Sequence, residues 1–227
     1  MESVRQGRER QGAGLVFVIS APSGTGKTTL LKRVMEALPD LRFSVSYTTR
    51  SPRANEREGE DYHFISPERF QEMVEREEFL EWAEVVENRY GTAKGSIERL
   101  RKEGFDVLLD IDTQGAKKLK EKLDHSILIF ILPPSYETLQ KRLFTRGLDS
   151  AEVMRNRLAN ARTEIEEACR YHYLIVNERI EVAVETLKAI IVAERCRRNK
   201  DRILKEREKE WEEEYGKNNS GRLFEER

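Results

Sequence analysis

The sequence predicts an α/β fold in which a five-stranded parallel core sheet is interrupted by an inserted subdomain of mixed β-strands. Along most of the 227 residues, short apolar segments alternate with segments of helical periodicity. This alternation is typical of parallel βαβ units with right-handed crossovers. It breaks down between residues 50 and 94, so we expect that segment to form the insertion. A chain of this length forms one domain, or one core with insertions.

Five core strands are predicted, and the first of them is apolar throughout, as expected where helices cover both faces of a sheet. We place them at residues 15–20, 43–48, 107–110, 127–132 and 173–176. Helices are predicted at residues 30–38, 96–103, 116–123, 137–146 and 152–168, with a further long helix from residue 181. Within the insertion we predict strands at residues 62–65 and 79–86, a helix that starts at Ser66, and a turn at Tyr90-Gly91-Thr92.

A glycine-rich turn follows the first predicted strand. It consists of Ala21, Pro22, Ser23, Gly24, Thr25, Gly26, Lys27 and Thr28, and Thr29 continues into the helix. In this strand–turn–helix context, backbone N–H groups and the positive helix N-terminus can surround the phosphates of a nucleoside triphosphate. We expect Lys27 to reach the β- and γ-phosphates and Thr28 to ligate Mg²⁺. Ala21 stands where the first glycine is usual, and an ordinary strand-to-helix turn is the alternative.

An acidic residue, Asp110, ends the third predicted core strand. Because the carboxyl ends of parallel strands face the ligand crevice, we expect Asp110 to lie beside the glycine-rich turn on the metal side of the site. The alternative is a carboxylate that only caps a turn.

Two groups of cationic residues are candidates for holding further phosphates. Forked guanidinium donors on the loop after residue 49 can grip an anion, and the candidates are Arg50 and Arg53 with Tyr62 and Tyr90. Arginines between the two helices after residue 136 can neutralise the charge on a phosphoryl group in transfer, and they are Arg142, Arg146 and Arg157. The alternatives are a solvated basic loop and helix-surface arginines paired with acids. The catalytic-loop motif of protein kinases is missing, and an acceptor that is already a phosphate needs no base, so positioning is sufficient.

These segments, taken in order, resemble guanylate kinases from Leu15 to about Glu194. The resemblance is carried by motifs along the whole of that stretch: Ser20 to Thr28, Ser44 to Arg53, Gly59-Glu60-Asp61-Tyr62, Phe79-Leu80-Glu81-Trp82-Ala83, Tyr90-Gly91-Thr92, Leu109 to Gly115, and Pro133-Pro134-Ser135. It implies a P-loop nucleoside monophosphate kinase with an inserted mixed-β GMP-binding subdomain and a helical lid. It also implies the reaction ATP + GMP → ADP + GDP with Mg²⁺, a transferase activity of purine metabolism.

The resemblance assigns roles to individual residues. It implies that Arg50, Arg53, Tyr62 and Tyr90 hold the GMP phosphate, and that Ser46, Glu81 and Thr92 bind guanine. It places Asp112 near guanine and metal without a defined role, and it places Arg142, Arg146 and Arg157 in the lid. Asn177 matches a position near adenine. The chain reads Asn177-Glu178-Arg179 at this point, where the family often has further acidic residues.

The resemblance also implies a division of the chain. The guanylate kinase-like domain would span residues 14–194, with its core at 14–49, 95–135 and 161–194. The GMP-binding subdomain would span 50–94 and the lid 136–160. We expect a flexible N-terminal arm at residues 1–13 and a charged C-terminal helix and tail at 195–227.

Composition narrows the classes of partner. A formal net charge of −1 gives no global positive field for nucleic acid. The chain has no apolar run of about 18 residues that would span a membrane, and two cysteines without metal-site spacing fit a reduced cytoplasm. Both a monomer and a homo-oligomer are compatible with the sequence.

Two alternative functions remain at this stage. One is a P-loop kinase that acts on another phosphorylated small molecule, such as a ribose bisphosphate, and Ser46, Glu81 and Thr92 speak for guanine instead. The other is a non-catalytic guanylate-kinase-like interaction module, and the intact Lys27, Arg50 and Asp110 argue against it.

Overall fold

The computed structural model describes residues 13–85, 87–123, 125–145 and 151–218. By compactness the chain divides into one unit up to Glu185 and a second from Thr186 onwards, and the described part of the second unit is entirely helical. The strands are β1 Val16–Ser20, β2 Leu41–Phe43, β3 Tyr47–Thr48, β4 His63–Phe64, β5 Phe79–Val85, β6 Asn88–Ala93, β7 Asp106–Asp110, β8 Ser126–Leu132 and β9 Tyr173–Val176. The α-helices are α1 Lys27–Ala37, α2 Pro67–Glu75, α3 Lys94–Lys102, α4 Thr113–Lys122, α5 Tyr136–Thr145, α6 Ala151–Glu166 and α7 Ile180–Asn218. A 3₁₀ helix, Glu167–Arg170, follows α6.

The core sheet is parallel throughout its five strands, in the order β2-β7-β1-β8-β9. This confirms the predicted fold class. The central strand β1 is buried along its whole length and lies between its neighbours β7 and β8. Each large aliphatic or aromatic side chain buried there contributes about 1.5–3 kcal/mol to the free energy of folding. The sheet therefore gives a stable platform for the turns that leave its carboxyl edge.

The second sheet has four strands in the order β4-β3-β6-β5 and combines parallel with antiparallel pairs. Helix α2 precedes β5, and its N-terminus has the expected cap: the Ser66 hydroxyl accepts a hydrogen bond from Arg69 N at 3.2 Å, and Pro67 is the first helical residue. Phe70 and Met73 on α2 are buried together with Phe79 of β5. The predicted mixed-β insertion is thus present as a sheet with its own small core.

The prediction of a single strand at residues 43–48 is wrong. The chain leaves the core sheet after Phe43, where Ser44 N donates to Leu108 O at 3.0 Å, and enters the second sheet at Tyr47. A run with strand propensity does not reveal which sheet each of its residues joins, because both sheets supply backbone partners.

The prediction of a turn at Tyr90-Gly91-Thr92 is also wrong, because these residues lie in β6, where Gly91 pairs with Trp82. The chain reverses just before β6, and Glu87 there has a φ of 64°. A Cβ at Gly91 would lie 2.8 Å from the Phe79 ring, so glycine is needed for close packing and not for a reversal.

No helix among the described residues is long and apolar enough to cross a membrane.

Candidate active site

The glycine-rich turn joins the central strand β1 to α1. Gly24 and Gly26 have φ values of 88° and 87°, a region that side chains with a Cβ rarely adopt. The turn closes on itself, because Thr25 N and the Thr25 hydroxyl both donate to Pro22 O, at 3.3 and 2.8 Å. Thr28 and Thr29 lie exposed in the first turn of α1. The turn has the geometry of a phosphate-binding loop that opens at a helix N-terminus.

The carbonyl oxygen of Thr25 is held from outside the turn by two predicted site residues. Asn177 Nδ2 donates to it at 2.7 Å and an Arg142 guanidinium nitrogen at 3.2 Å. Asn177 follows β9, is almost fully buried, and donates its own backbone N–H to Leu132 O at 2.8 Å. Asn177 and Arg142 therefore fix the conformation of the turn.

Lys27 and Asp110 form an ion pair at the carboxyl ends of β1 and β7. Asp110 lies opposite Ile19 in the parallel register, which brings its carboxylate to the start of the turn as expected. Both side chains are partly exposed, Lys27 at 18% and Asp110 at 29%, so a ligand can reach them. The Asp110 carboxylate and the exposed Thr28 hydroxyl are oxygen donors of the kind that Mg²⁺ prefers.

A further carboxylate, Glu164, is close enough to Lys27 for the ammonium charge to act on it, and it was missed from the sequence. It is half-buried on α6, and burial raises its pKa to about 7, while the Lys27 ammonium lowers it and Asp112 raises it further. Leu158 and Ala161, also on α6, are buried. Glu164 stands one turn beyond Ala161, so an acid that continues an apolar helix face was the available signal.

Of the three predicted lid arginines, two lie among the described residues. Arg142 contacts the glycine-rich turn as described, and Arg157 is half-buried on α6, two turns before Glu164. Arg146 lies outside the described residues.

The predicted anion site of the insertion is assembled around Arg50. Its guanidinium donates to the Tyr90 hydroxyl at 3.3 Å and to Glu56 Oε1 at 2.8 Å, and it lies 5.5 Å from the Tyr62 ring centroid. The Tyr62 and Tyr90 rings meet edge to face, with centroids 5.8 Å apart. Burial alone would lower the pKa of Arg50, but the hydrogen bonds with Glu56 and Tyr90 raise it, so this residue stays charged.

Glu56 was not predicted, although it also holds Arg53, whose backbone N–H donates to Glu56 Oε2 at 2.8 Å. Burial opposes its ionisation, but the hydrogen bonds from Arg53 N and Arg50 lower the pKa of Glu56. The Arg53 side chain is exposed. The only sequence signal was an acid close behind two arginines in a polar loop.

Two of the three residues expected to bind guanine form a buried pair. Glu81 and Thr92 lie opposite each other on β5 and β6, and the Thr92 hydroxyl donates to Glu81 Oε1 at 2.5 Å. Burial raises the pKa of Glu81, and the hydrogen bond from Thr92 partly offsets this. The third residue, Ser46, lies half-buried in the connection between β2 and β3.

Asp112 has a structural role in α4. It is the N-cap residue, and its Oδ1 accepts a hydrogen bond from Gly115 N at 2.7 Å. Its charge also acts on the Glu81 and Glu164 carboxyl groups, because it raises the pKa of each.

The two halves of the predicted site are coupled electrostatically. Burial raises the pKa of Tyr62 to about 12, and the Asp110 carboxylate adds to the increase. A charge at the end of β7 therefore acts on a side chain of the anion site around Arg50.

Beside the glycine-rich turn lies a cleft of about 580 Å³, whose lining includes Gly24, Thr29, Arg142, Asn177 and Glu178.

Comparison with known proteins gives one consistent result. The family profile described as Guanylate kinase matches residues 14–194. The chain is 53% identical over 184 residues to a guanylate kinase of Geobacter metallireducens, which covers 81% of this chain and 91% of the relative. It is 48% identical over 197 residues to a guanylate kinase of Caldanaerobacter subterraneus, which covers 86% of this chain and 96% of the relative.

A solved structure gives the same answer for the fold. The crystal structure of guanylate kinase from Anaplasma phagocytophilum superimposes with a TM-score of 0.67 at 36% identity, and the match covers 81% of this chain and 87% of that one. The chain therefore belongs to the guanylate kinase family.

Proposed function

We propose that this protein catalyses ATP-dependent phosphorylation of GMP, ATP + GMP → ADP + GDP, in the recycling of purine nucleotides. The single observation that carries the choice of acceptor is the buried Glu81 carboxylate, which Thr92 holds at 2.5 Å. Guanine presents two adjacent donors, N1–H and the N2 amino group, and an ionised carboxylate can accept from both. Relatives that share about half of their residues with this chain are guanylate kinases, which supports the same reaction.

At the donor end, the triphosphate would lie in the turn formed by Ala21 to Thr28, with Thr29 in the helix that follows. Lys27 would exchange its Asp110 partner for phosphate oxygens, because the pair is accessible to a ligand. Asn177 would act through the Thr25 carbonyl, and the cleft beside the turn is the proposed place for adenine.

We propose Mg²⁺ as the metal that accompanies ATP, held by Thr28 and Asp110. Both present hard oxygen donors at the exposed mouth of the turn, which suits an ion that keeps several of its waters. The ion would supply charge neutralisation on the phosphate oxygens. Asp110 becomes available for this role when Lys27 turns to the phosphates.

At the acceptor end, Arg50, Arg53, Tyr62 and Tyr90 would hold the GMP phosphate. The phosphate would compete with Glu56 for Arg50, because the Arg50–Glu56 pair occupies the same guanidinium donors. Ser46, Glu81 and Thr92 would bind guanine, with Asp112 close by as the cap of α4.

Catalysis by this arrangement would consist of positioning and charge neutralisation. The acceptor phosphate is already ionised near neutral pH, so no side chain needs to remove a proton from it. Positive charge from Lys27, Arg50, Arg142, Arg146 and Arg157 would stabilise the oxygens of the phosphoryl group in transfer.

We retain the division of the chain inferred from the sequence as a proposal: a core at 14–49, 95–135 and 161–194, a GMP-binding subdomain at 50–94 and a lid at 136–160. Three of the four strands of the mixed sheet lie within residues 50–94, which supports the second of these, whereas β3 at Tyr47–Thr48 precedes the proposed boundary. A cytoplasmic location is proposed from the two cysteines, which are free and exposed.

A coupled spectrophotometric assay tests the proposal. Purified protein is supplied with ATP and Mg²⁺ and with GMP, dGMP, AMP, CMP, UMP or a ribose bisphosphate as acceptor. We expect GMP to give the highest kcat/KM. Higher turnover of another acceptor would assign the site to that compound, and no turnover of any acceptor would favour a binding module.

A further inference from the structure

Helix α4 is hydrogen-bonded to the backbone of strand β5 on both sides of Glu81. Lys118 Nζ donates to Trp82 O at 2.9 Å, and Lys122 Nζ donates to Leu80 O at 2.6 Å. The two lysines are four residues apart, so they project from the same face of the helix. The backbone of β5 is therefore anchored to α4 immediately before and immediately after Glu81.

Gly115 stands one turn before Lys118 on that face and directly against the Glu81 side chain. A Cβ placed on Gly115 would lie 2.6 Å from Glu81 Oε2 and 2.4 Å from Ile111 Cγ2, and real Cβ atoms do not come this close to other atoms. Gly115 is not among the glycines with positive φ, so the backbone does not require glycine here. Glycine is also a poor helix former compared with alanine. The buried Ile111 side chain and the Glu81 carboxylate together occupy the space that a side chain at this position would need.

We propose that Gly115 is a positioning residue for base recognition: because it lacks a side chain, it lets the Glu81 carboxylate lie against the first turn of α4 in the orientation that guanine needs. The inference rests on the proposed function, since it assigns a task to Glu81 in binding GMP. Lys118 and Lys122 hold the helix at the distance at which only glycine fits.

Several groups around Glu81 act on its ionisation in opposite directions. Burial raises the pKa of Glu81 and Asp112 adds to the rise, while the hydrogen bond from Thr92 and the ammonium groups of Lys118 and Lys122 partly offset it. Ionisation matters because a protonated carboxyl group would present a donor to guanine, whose N1 and N2 groups are both donors.

Replacing Gly115 with alanine tests whether the missing side chain positions Glu81. The added methyl group would meet Glu81 Oε2, the free end of a flexible side chain, and Ile111 Cγ2, so both side chains must move if the helix is to keep its place. We expect the KM for GMP to rise about tenfold or more, since a charge-assisted hydrogen bond would be misdirected. The KM for ATP should change little, while the unfolding temperature should fall, because the buried Ile111 side chain is displaced as well.

Gly95→Ala is the matched control. Gly95 also lies in the first turn of a helix, α3, and a Cβ there would meet nothing within 4 Å. We expect wild-type values of kcat and of both KM constants for this variant. If Gly95→Ala raises the KM for GMP as much as Gly115→Ala does, the inference is overturned.

A double variant tests whether Gly115 acts through Glu81. In a Glu81→Gln background, adding Gly115→Ala should change the KM for GMP less than twofold, because the group that it displaces no longer carries a charge. If the KM for GMP of the double variant rises by the product of the two single-variant increases, Gly115 acts by another route and the inference is overturned.

If Gly115→Ala does not fold, as judged by circular dichroism, Lys118→Met decides the question. Lys118 is exposed, and its neighbour Lys117, also exposed, serves as the control. Lys118→Met should raise the KM for GMP several-fold while Lys117→Met leaves it unchanged, and equal values would overturn the inference.

The failure of this inference differs from the failure of the proposed function. Turnover of GMP by the wild type, with an unchanged KM in Gly115→Ala, overturns the role of Gly115 alone. A wild-type protein that is inert towards GMP overturns the proposed function and this inference with it.

Discussion

Replacing Glu81 with glutamine tests whether this residue binds the guanine base. In the wild type the Glu81 residue is 6% exposed, and one of its carboxylate oxygens accepts the 2.5 Å hydrogen bond from Thr92. In the variant we expect the amide oxygen to keep this bond, so that the NH₂ group faces the guanine donors. The substitution preserves size and removes both the charge and the second acceptor.

The expected loss follows from these two changes. A hydrogen bond to a charged group contributes about 1.5–3 kcal/mol, and an unsatisfied buried donor costs about 1–3 kcal/mol. A combined loss of about 3–4 kcal/mol corresponds to a decrease of about 10²- to 10³-fold in kcat/KM for GMP. AMP should be affected little, because adenine has an acceptor at N1 and never used the ionised carboxylate.

The assay is kcat/KM for GMP and AMP in the wild type, in Glu81→Gln and in Glu84→Gln. Glu84 lies exposed on the same strand and controls for the loss of a charge. Burial raises the pKa of Glu81, so its ionised form weakens folding at pH values above that pKa, and Glu81→Gln should unfold at no lower temperature than the wild type at neutral pH. If the preference for GMP over AMP is unchanged in a folded Glu81→Gln protein, Glu81 does not bind the base.

Three further predictions concern the donor site and the C-terminal helix. Lys27→Met should lower kcat/KM by about 10²-fold or more without changing the fold, because the Lys27 ammonium pairs with a carboxylate and does not pack in the core; near-wild-type activity would mean that the turn is not the donor site. Truncation after Glu208 should leave activity and unfolding temperature unchanged, since residues 201–215 are all exposed, and a large loss of either would show that the segment docks or mediates assembly. Glu164 has a folded pKa of about 7 against an ordinary 4.5, so the folded state holds an extra proton between these values and the stability that this proton contributes is lost as pH rises through about 7. The unfolding temperature of Glu164→Gln should therefore fall less between pH 5.5 and 8 than that of the wild type. Glu166→Gln is the control, because the Glu166 carboxylate is exposed and paired with Arg162, and this variant should behave like the wild type. Identical profiles for all three proteins would contradict the burial of Glu164.

Several features of the fold could be predicted because their causes are local. Apolar runs bounded by turn residues indicated four of the five core strands, and the strand at residues 173–176 has the predicted limits. The sequence Gly-Lys-Thr after such a run indicated the turn at Gly26, where positive φ and a helix start coincide. Ser66 followed by proline indicated the start of α2.

The errors arose where two sheets compete for one segment. Residues 43–48 have strand propensity throughout, but only Phe43 belongs to the core sheet, and Tyr47 joins the mixed sheet. Gly91 suggested a turn because glycine is common in turns, whereas here it makes room for the Phe79 ring. Neither distinction is visible without the neighbouring strands.

The sequence by itself determined the family, most of the strands and helices in their order, and the residue types available for binding phosphate and guanine. These depend on periodicity and on short motifs, which report local backbone preference and the buried face of each element. Only the tertiary structure decided which of these groups meet: the Thr25 carbonyl with Arg142 and Asn177, 117 and 152 positions away, and the Glu81 carboxylate with Gly115. Contacts across such separations depend on how helices pack on the two sheets, and periodicity along a single chain does not encode that packing.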